Sequence, residues 1–214
     1  MLDWDHNAYY QHLLLRHVPQ RCERVLDVGC GAGAFAVLLA QRSNHVDAVD
    51  RSGAMIAEAK RRTPMNVACV QADVLNDALP ATDYDAIVSI TALHHMPLEV
   101  VLPRLADALR PGGVLAAVAL PRADLRHEWP HELAAAIAHR AFGLRFLAAR
   151  LLGTGAGFQK APDHGAMPVV MDPPLTTRQV AELAATLLPS VRVRRLLFWR
   201  YLLVWQKPVE QPLY

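Results

Sequence analysis

Three glycines, Gly29, Gly31 and Gly33, stand at alternate positions, and Asp27 lies two residues ahead of the first. They close an apolar run from Arg24 to Val28, and a helix-period pattern of Phe35, Val37, Leu38 and Leu39 begins directly after them. Glycine suits a backbone that must take unusual dihedrals or press against a ligand with no Cβ between. The first amides of the following helix add donors. Strand, side-chain-free bend and helix start together read as a nucleotide-binding turn, with Cys30 inside it.

Two ligand classes fit those glycines. The dinucleotide fingerprint asks for G-x-G-x-x-G/A after a strand and an acid about 20 residues on. Gly29, Gly31, Ala34 and Asp50 satisfy it. Asp27 argues the other way, because a carboxylate there would repel a pyrophosphate. The whole segment resembles motif I of the class I S-adenosylmethionine-dependent methyltransferases, D/E-x-G-x-G-x-G, with Asp27, Gly29, Gly31 and Gly33 on its fixed positions. That family's cofactor is cationic and carries no phosphate, so it tolerates the acid.

The resemblance continues in order along residues 20–121, each match at a strand end. It makes Asp50, with Arg51 beside it, the acid that accepts from both ribose hydroxyls, a task for a side chain with two acceptor oxygens. Met55 matches a position over the adenine face. Asp73 matches the acid that takes the adenine amino group, with the Val74 amide serving the ring. Tyr84–Ile90 continues into Thr91-Ala92-Leu93-His94-His95, similar to the family's D-x-I/V-x-x-x-x-x-L-H-H segment. Ile90, Thr91 and Ala92 would wall the reacting methyl with apolar groups and carbonyls. A carboxylate against the sulfur would stabilise the ground state more than the transition state. His94 and His95 are the candidate bases and acceptor contacts, since imidazole takes a proton at neutral pH. Leu109-Arg110-Pro111-Gly112-Gly113 resembles the L-x-P-G-G turn before strand five, a structural feature.

These residues need a scaffold that brings strand ends together. The spacing predicts a helix over 8–18, four strands ending at Val28, Asp50, Ala72 and Ile90, a helix over 98–109 and a fifth strand over 114–120. A helix over 176–188, capped by Thr176 or Thr177, precedes two strands, 191–197 and 200–206, joined across Phe198 and Trp199. Alternation of strands and helices predicts an α/β, doubly wound, mostly parallel sheet. The resemblance makes it a seven-stranded Rossmann-like methyltransferase fold, a single domain over 1–214 with one antiparallel strand in the C-terminal hairpin. Residues 1–20 form an N-terminal flap and helix, from which Tyr9 or Tyr10 closes over the site and touches substrate. Residues 122–172 form an inserted lid over the acceptor, with Trp129 against substrate. The lid's Phe142, Phe158 and glycine run 153–157 complete a segment whose apolar content predicts a largely apolar acceptor.

Composition sets outer bounds. Of 214 residues, 53% are hydrophobic and 20% charged, which suits one soluble globular core. No apolar run approaches a membrane span, and the acidic, polar N-terminus is unlike a signal peptide, so a cytoplasmic protein without a membrane partner is expected. Three unclustered cysteines imply reduced thiols and no metal framework. The net charge is +2; residues 1–120 carry 10 Lys/Arg against 13 Asp/Glu, and residues 121–214 carry 12 against 7. Alternating Val and Arg at 191–194 reads as a strand with one solvated face, not a nucleic-acid stripe. A nucleic-acid amino-methyltransferase would place N/D-P-P-Y/F directly after strand four, where Ser89-Ile90-Thr91-Ala92 stand; Asp172-Pro173-Pro174 comes before the last helix instead. The expectation is methyl transfer from S-adenosylmethionine to oxygen, nitrogen or carbon of a small acceptor, in secondary metabolism, by a monomer or homodimer. The alternatives are an S-adenosylmethionine-binding protein without methyl transfer and a nicotinamide-dependent oxidoreductase.

Overall fold

The computed structural model describes residues 6–151 and 173–209. Its strands are β1 (Cys22–Val28), β2 (Ser43–Asp50), β3 (Val67–Gln71), β4 (Tyr84–Ile90), β5 (Leu109–Ala119), β6 (Arg192–Leu196) and β7 (Arg200–Gln206). They form one sheet in the order β3-β2-β1-β4-β5-β7-β6. β1 pairs in parallel with both β2 and β4. Only β7 runs against the others, between β5 and β6. The helices are α1 (His6–Leu15), α2 (Ala34–Leu39), α3 (Gly53–Arg62), α4 (Leu98–Ala108), α5 (Leu125–Leu151) and α6 (Thr177–Leu187). No described helix is long and apolar enough to cross a membrane.

Side chains of a strand alternate between faces, and strands covered on both faces read as continuous apolar runs. Here the alternation separates two cores. Leu26, Val28, Ile87, Leu115, Ala117, Leu203 and Trp205 face α4 and α6. Val25, Val46, Ala86, Val88, Val118, Leu202 and Val204 face α1, α2 and α3. The same period places Asp27 on the second face, under the glycine turn. Strand order reverses between β1 and β4, and ligands of open α/β sheets bind beyond the carboxyl ends at such a point.

Two buried acids at the opposite, amino ends are fully partnered. Asp47 accepts from Arg24 Nε (2.7 Å) and from the Tyr84 hydroxyl (2.9 Å). Asp85 accepts from the Arg24 N–H (2.8 Å) and pairs with Arg110. Tying down these ends leaves the carboxyl ends for the site.

Boundaries differ from expectation in a few places. The Leu109–Gly113 turn is incorporated into β5, whose pairing with β4 shifts register between Tyr84 and Ala86. Gly113 is needed there, since a Cβ would lie 2.8 Å from the Tyr84 carbonyl oxygen. No helix follows β3; residues 72–83 are turns and irregular chain. The expected lid segment opens with α5, which starts at Leu125 and contains Pro130. Thr176 caps α6 in a capping box with Gln179. Phe198 and Trp199 both hold left-handed φ, 59° and 57°, the geometry of a tight hairpin turn. Phe198 is fully buried against His6, Tyr9 and Phe142, which locks α1 and α5 onto the hairpin. Residues 1–5, the segment 152–172 with its glycine run, Phe158 and Asp172, and residues 210–214 lie outside the described residues.

Candidate active site

A cavity of about 250 Å³ lies beyond the carboxyl ends of β1, β2 and β4. Asp27, Gly29, Cys30, Gly31, Asp50, Arg51, Met55, Asp73, Val74, Ile90, Thr91, Ala92 and His95 all line it. The fold therefore gathers residues from four separate segments into one wall.

The glycine turn is built by left-handed backbone. Gly29, Gly31 and Gly33 have φ of 72°, 53° and 81°, values that carry little strain only without a side chain. Close packing adds a second reason. A Cβ on Gly29 would stand 2.2 Å from Ala92 Cβ, and one on Gly33 would stand 2.9 Å from Thr63 Cγ2. Gly33 packs α2 against α3 and is not among the cavity-lining residues.

Asp50 is held by the turn it serves. Its Oδ2 accepts from the Gly31 N–H (2.9 Å) and its Oδ1 from the Ser52 N–H (2.8 Å). Each oxygen keeps acceptor capacity, since a carboxylate offers about four lone-pair sites. Ser52 caps α3 through the Met55 N–H and so places Met55, which is buried, on the wall. Asp73 is fixed by its own turn: Oδ1 accepts from the Leu75 N–H (2.9 Å) and Oδ2 from Asn76 Nδ2 (2.8 Å). The Leu75 amide first, then Asn76, hold its carboxyl below the ordinary carboxylate range.

Asp27 is different. It is 1% exposed, and its Oδ2 has no hydrogen-bond partner among the described residues. Burial first, and the nearby Asp50 carboxylate second, push its pKa up to about 7. Asp47 and Asp85 show what this fold does with a structural acid, and Asp27 receives no such compensation. A buried polar atom left without a partner needs an explanation, and a site for a cationic ligand supplies one.

The histidines divide. His95 lines the cavity; burial and then Arg51 lower its pKa, and its Nδ1 is buried without a partner among the described residues. His94 lines a second, much smaller cavity with Leu120, Pro173, Tyr201 and Val180. Burial, then His95 and Arg200, push His94 down to about 3. The two rings lie 4.0 Å apart. Both are neutral at physiological pH.

Three expected contacts lie off the wall of the main cavity. Tyr10 is buried in the core, its hydroxyl donating to the Leu197 carbonyl. Tyr9 packs edge-on against Tyr10, Phe142 and Phe198. Trp129 is 61% exposed on α5. The reason is helical phase: α1 turns its aromatics toward the hairpin and presents Asn7 and Gln11 to the cavity instead. The sequence reading passed over that amide pair, and over Phe35 and Leu75. The one available signal was the four-residue spacing of Asn7 and Gln11. Among the described residues no group of His, Cys, Asp or Glu could hold a metal ion.

Comparison with known proteins agrees with this geometry. Residues 25–113 match a family model described as a methyltransferase domain. An uncharacterized methyltransferase of Mycobacterium tuberculosis is 34% identical over 208 residues, covering 96% of this chain and 98% of that one. A trans-aconitate 2-methyltransferase of Variovorax paradoxus is 37% identical over 154 residues, 66% of this chain and 58% of its own. The DhpI–SAH complex shares the fold, with a TM-score of 0.63 at 21% identity over 95% of this chain and 85% of that chain. A doubly wound sheet with an acid-lined nucleoside cavity at its switch point defines the class. This chain belongs to the class I S-adenosylmethionine-dependent methyltransferases.

Proposed function

We propose that the enzyme methylates a small, largely apolar acceptor that enters beside His95, Met96 and Thr91. The observation that carries this reading is the continuity of one cavity, from Asp50 and Asp73 past the glycine turn to His95. In this reading Asp50 holds the ribose hydroxyls and Asp73 the adenine amino group, with the Val74 amide on the ring. Met55 covers the base, and Gly29 and Gly31 admit the cofactor's backbone-hugging middle. Asp27 faces its cationic end. When bound, S-adenosylmethionine supplies an electrophilic methyl group on a sulfonium. The residues at the reacting end, Ile90, Thr91 and Ala92, place no carboxylate there, so no ground-state ion pair retards the transfer. Orientation of the acceptor in line with the methyl is the protein's main contribution.

His95 is the proposed proton acceptor. Its lowered pKa keeps the imidazole unprotonated through neutral pH, ready for a phenolic or hydroxyl proton. His94 backs the ring from the neighbouring cavity. A cytoplasmic setting and secondary metabolism fit a small acceptor of this kind. The test is a panel of phenols, alcohols, thiols and amines with the purified enzyme, scored for methylated product and S-adenosylhomocysteine. Product from one such class carries the reading. Methylation confined to protein or nucleic acid overturns it. Replacing His95 by Ala should lower kcat about 100-fold while cofactor affinity stays within about twofold; unchanged kcat removes the proton-transfer role.

A further inference from the structure

We propose that the outward face of α5 is a joint between two copies of this chain, packed helix against helix about a twofold axis. This inference stands apart from the cofactor reading. α5 carries two apolar faces, and one of them is occupied. Ala135 is buried, Phe142 packs on Tyr9 and Phe198, and His139 sits against His6 and Trp199. At about 3.6 residues per turn, the opposite side of the helix carries Trp129, Leu133, Ile137 and Leu144. These are 61%, 54%, 59% and 57% exposed. They are four of the eight large apolar side chains left exposed among the described residues. Single exposed apolar residues are ordinary, but a contiguous run on one helix face marks an interaction site.

The shape of that face selects the occupant. Trp129, Leu133 and Ile137 follow one another at four-residue steps, so they form a raised ridge along the helix. Pro130 and Ala134, both exposed, make the lower row beside it, and exposed Ala141 ends the ridge. A surface that bears both halves of a ridge-into-groove joint is complementary to itself under a twofold rotation. With helices antiparallel and the axis between Leu133 and Ile137, Trp129 of each copy comes down near the small Ala141 of the other. The stripe runs roughly 22 Å from Trp129 to Leu144 at a rise of about 1.5 Å per residue. That length lets one helix pair form the apolar centre of the roughly 800 Å² that a specific dimer buries per partner. A lipid surface fits less well. Arg140 is exposed within the stripe, between Ile137 and Leu144, where a bilayer would have to take up its charge. In the helix pair the same rotation sets Arg140 beside the Trp129 ring of the other copy, a favourable cation–π placement.

Sedimentation velocity of the full chain tests the joint, with flotation on phosphatidylglycerol vesicles alongside. The wild-type protein is expected to sediment as a dimer at about 50 µM and to dissociate on dilution. Ile137→Glu should weaken association about 100-fold or more, because it puts a carboxylate from each copy into the apolar joint. Ala134→Trp is the sharper variant. It adds apolar surface, which a bilayer would favour, but it fills the groove, so it too should yield monomer. Both variants should keep the wild-type far-ultraviolet circular dichroism, which separates loss of the joint from loss of the fold. Wild-type protein that stays monomeric overturns the proposal, whether α5 is then found on vesicles or covered by its own chain. A dimer that survives either substitution overturns it as well, since its interface then lies elsewhere.

Discussion

Asp27 carries an energetic conflict that the rest of the molecule avoids. In the folded protein its pKa rises from 3.8 to about 7. The folded state therefore holds more protons than the unfolded one between those values, and stability falls as pH rises across that window. Above it the full cost of the buried charge is present. Asp27→Asn is expected to raise the melting temperature of the ligand-free protein at pH 8 by roughly 3 °C or more, with the gain vanishing near pH 4, while weakening S-adenosylhomocysteine binding. Differential scanning calorimetry across that range, paired with titration, checks both halves. His94 has the opposite sign. Its pKa drops from 6.5 to about 3 on folding, so the unfolded state binds the extra proton and stability is lost as pH falls from 6.5 toward 3. His94→Leu should flatten the acid side of the melting profile, where Asp27→Asn should steepen it. A shared, unchanged profile would contradict the burial of either group. Glycines, acids and the histidine pair were legible at this scale because motif spacing names residues. Which histidine faces the cavity was not, because adjacent residues point in different directions and only packing selects between them.

The site exists because short elements end where they do. β1 stops at a left-handed glycine packed on the β4 exit, and α3 begins at a serine that also holds Asp50 through its amide. Gly29→Ala would set one Cβ 2.2 Å from another while forcing a side chain to φ +72°. A loss of about 3 kcal/mol or more in urea denaturation is expected. Ala92→Gly in the same chain should restore the part due to the clash and leave the part due to φ. Far from the cavity, the capping box of α6 offers a milder case. Thr176→Val should cost about 1 kcal/mol of stability with no change in cofactor affinity. Elements were readable where apolar period and punctuation agreed, as in β1, β4, α4 and α6. They were less so where the two conflicted. Pro111 and two glycines spoke for a turn, yet the backbone extends into β5. The lid segment, read without defined elements, carries α5, which runs through Pro130.

At the scale of the whole molecule, ligand and fold are linked. A ligand that binds only the native state at a hundredfold excess over Kd adds about 2.7 kcal/mol of stability. S-adenosylhomocysteine should thus raise the melting temperature by roughly 5 °C or more, and NAD should not move it; a shift with NAD alone would contradict the class. Two helical layers on one sheet follow from continuous apolar strands alternating with helices, and that much the chain declares residue by residue. The three acids and the glycine turn are likewise local, since each is a short pattern whose chemistry needs only neighbouring residues to be recognised. The amide pair of α1 belongs to another category. Asn7 and Gln11 reach the cavity because Phe198, nearly two hundred residues later, sits in a left-handed turn and fastens the helix that bears them. No pattern within α1 encodes that distance. Spacing along the chain determines what a residue can do, whereas burial and helical phase in the folded molecule decide what it faces.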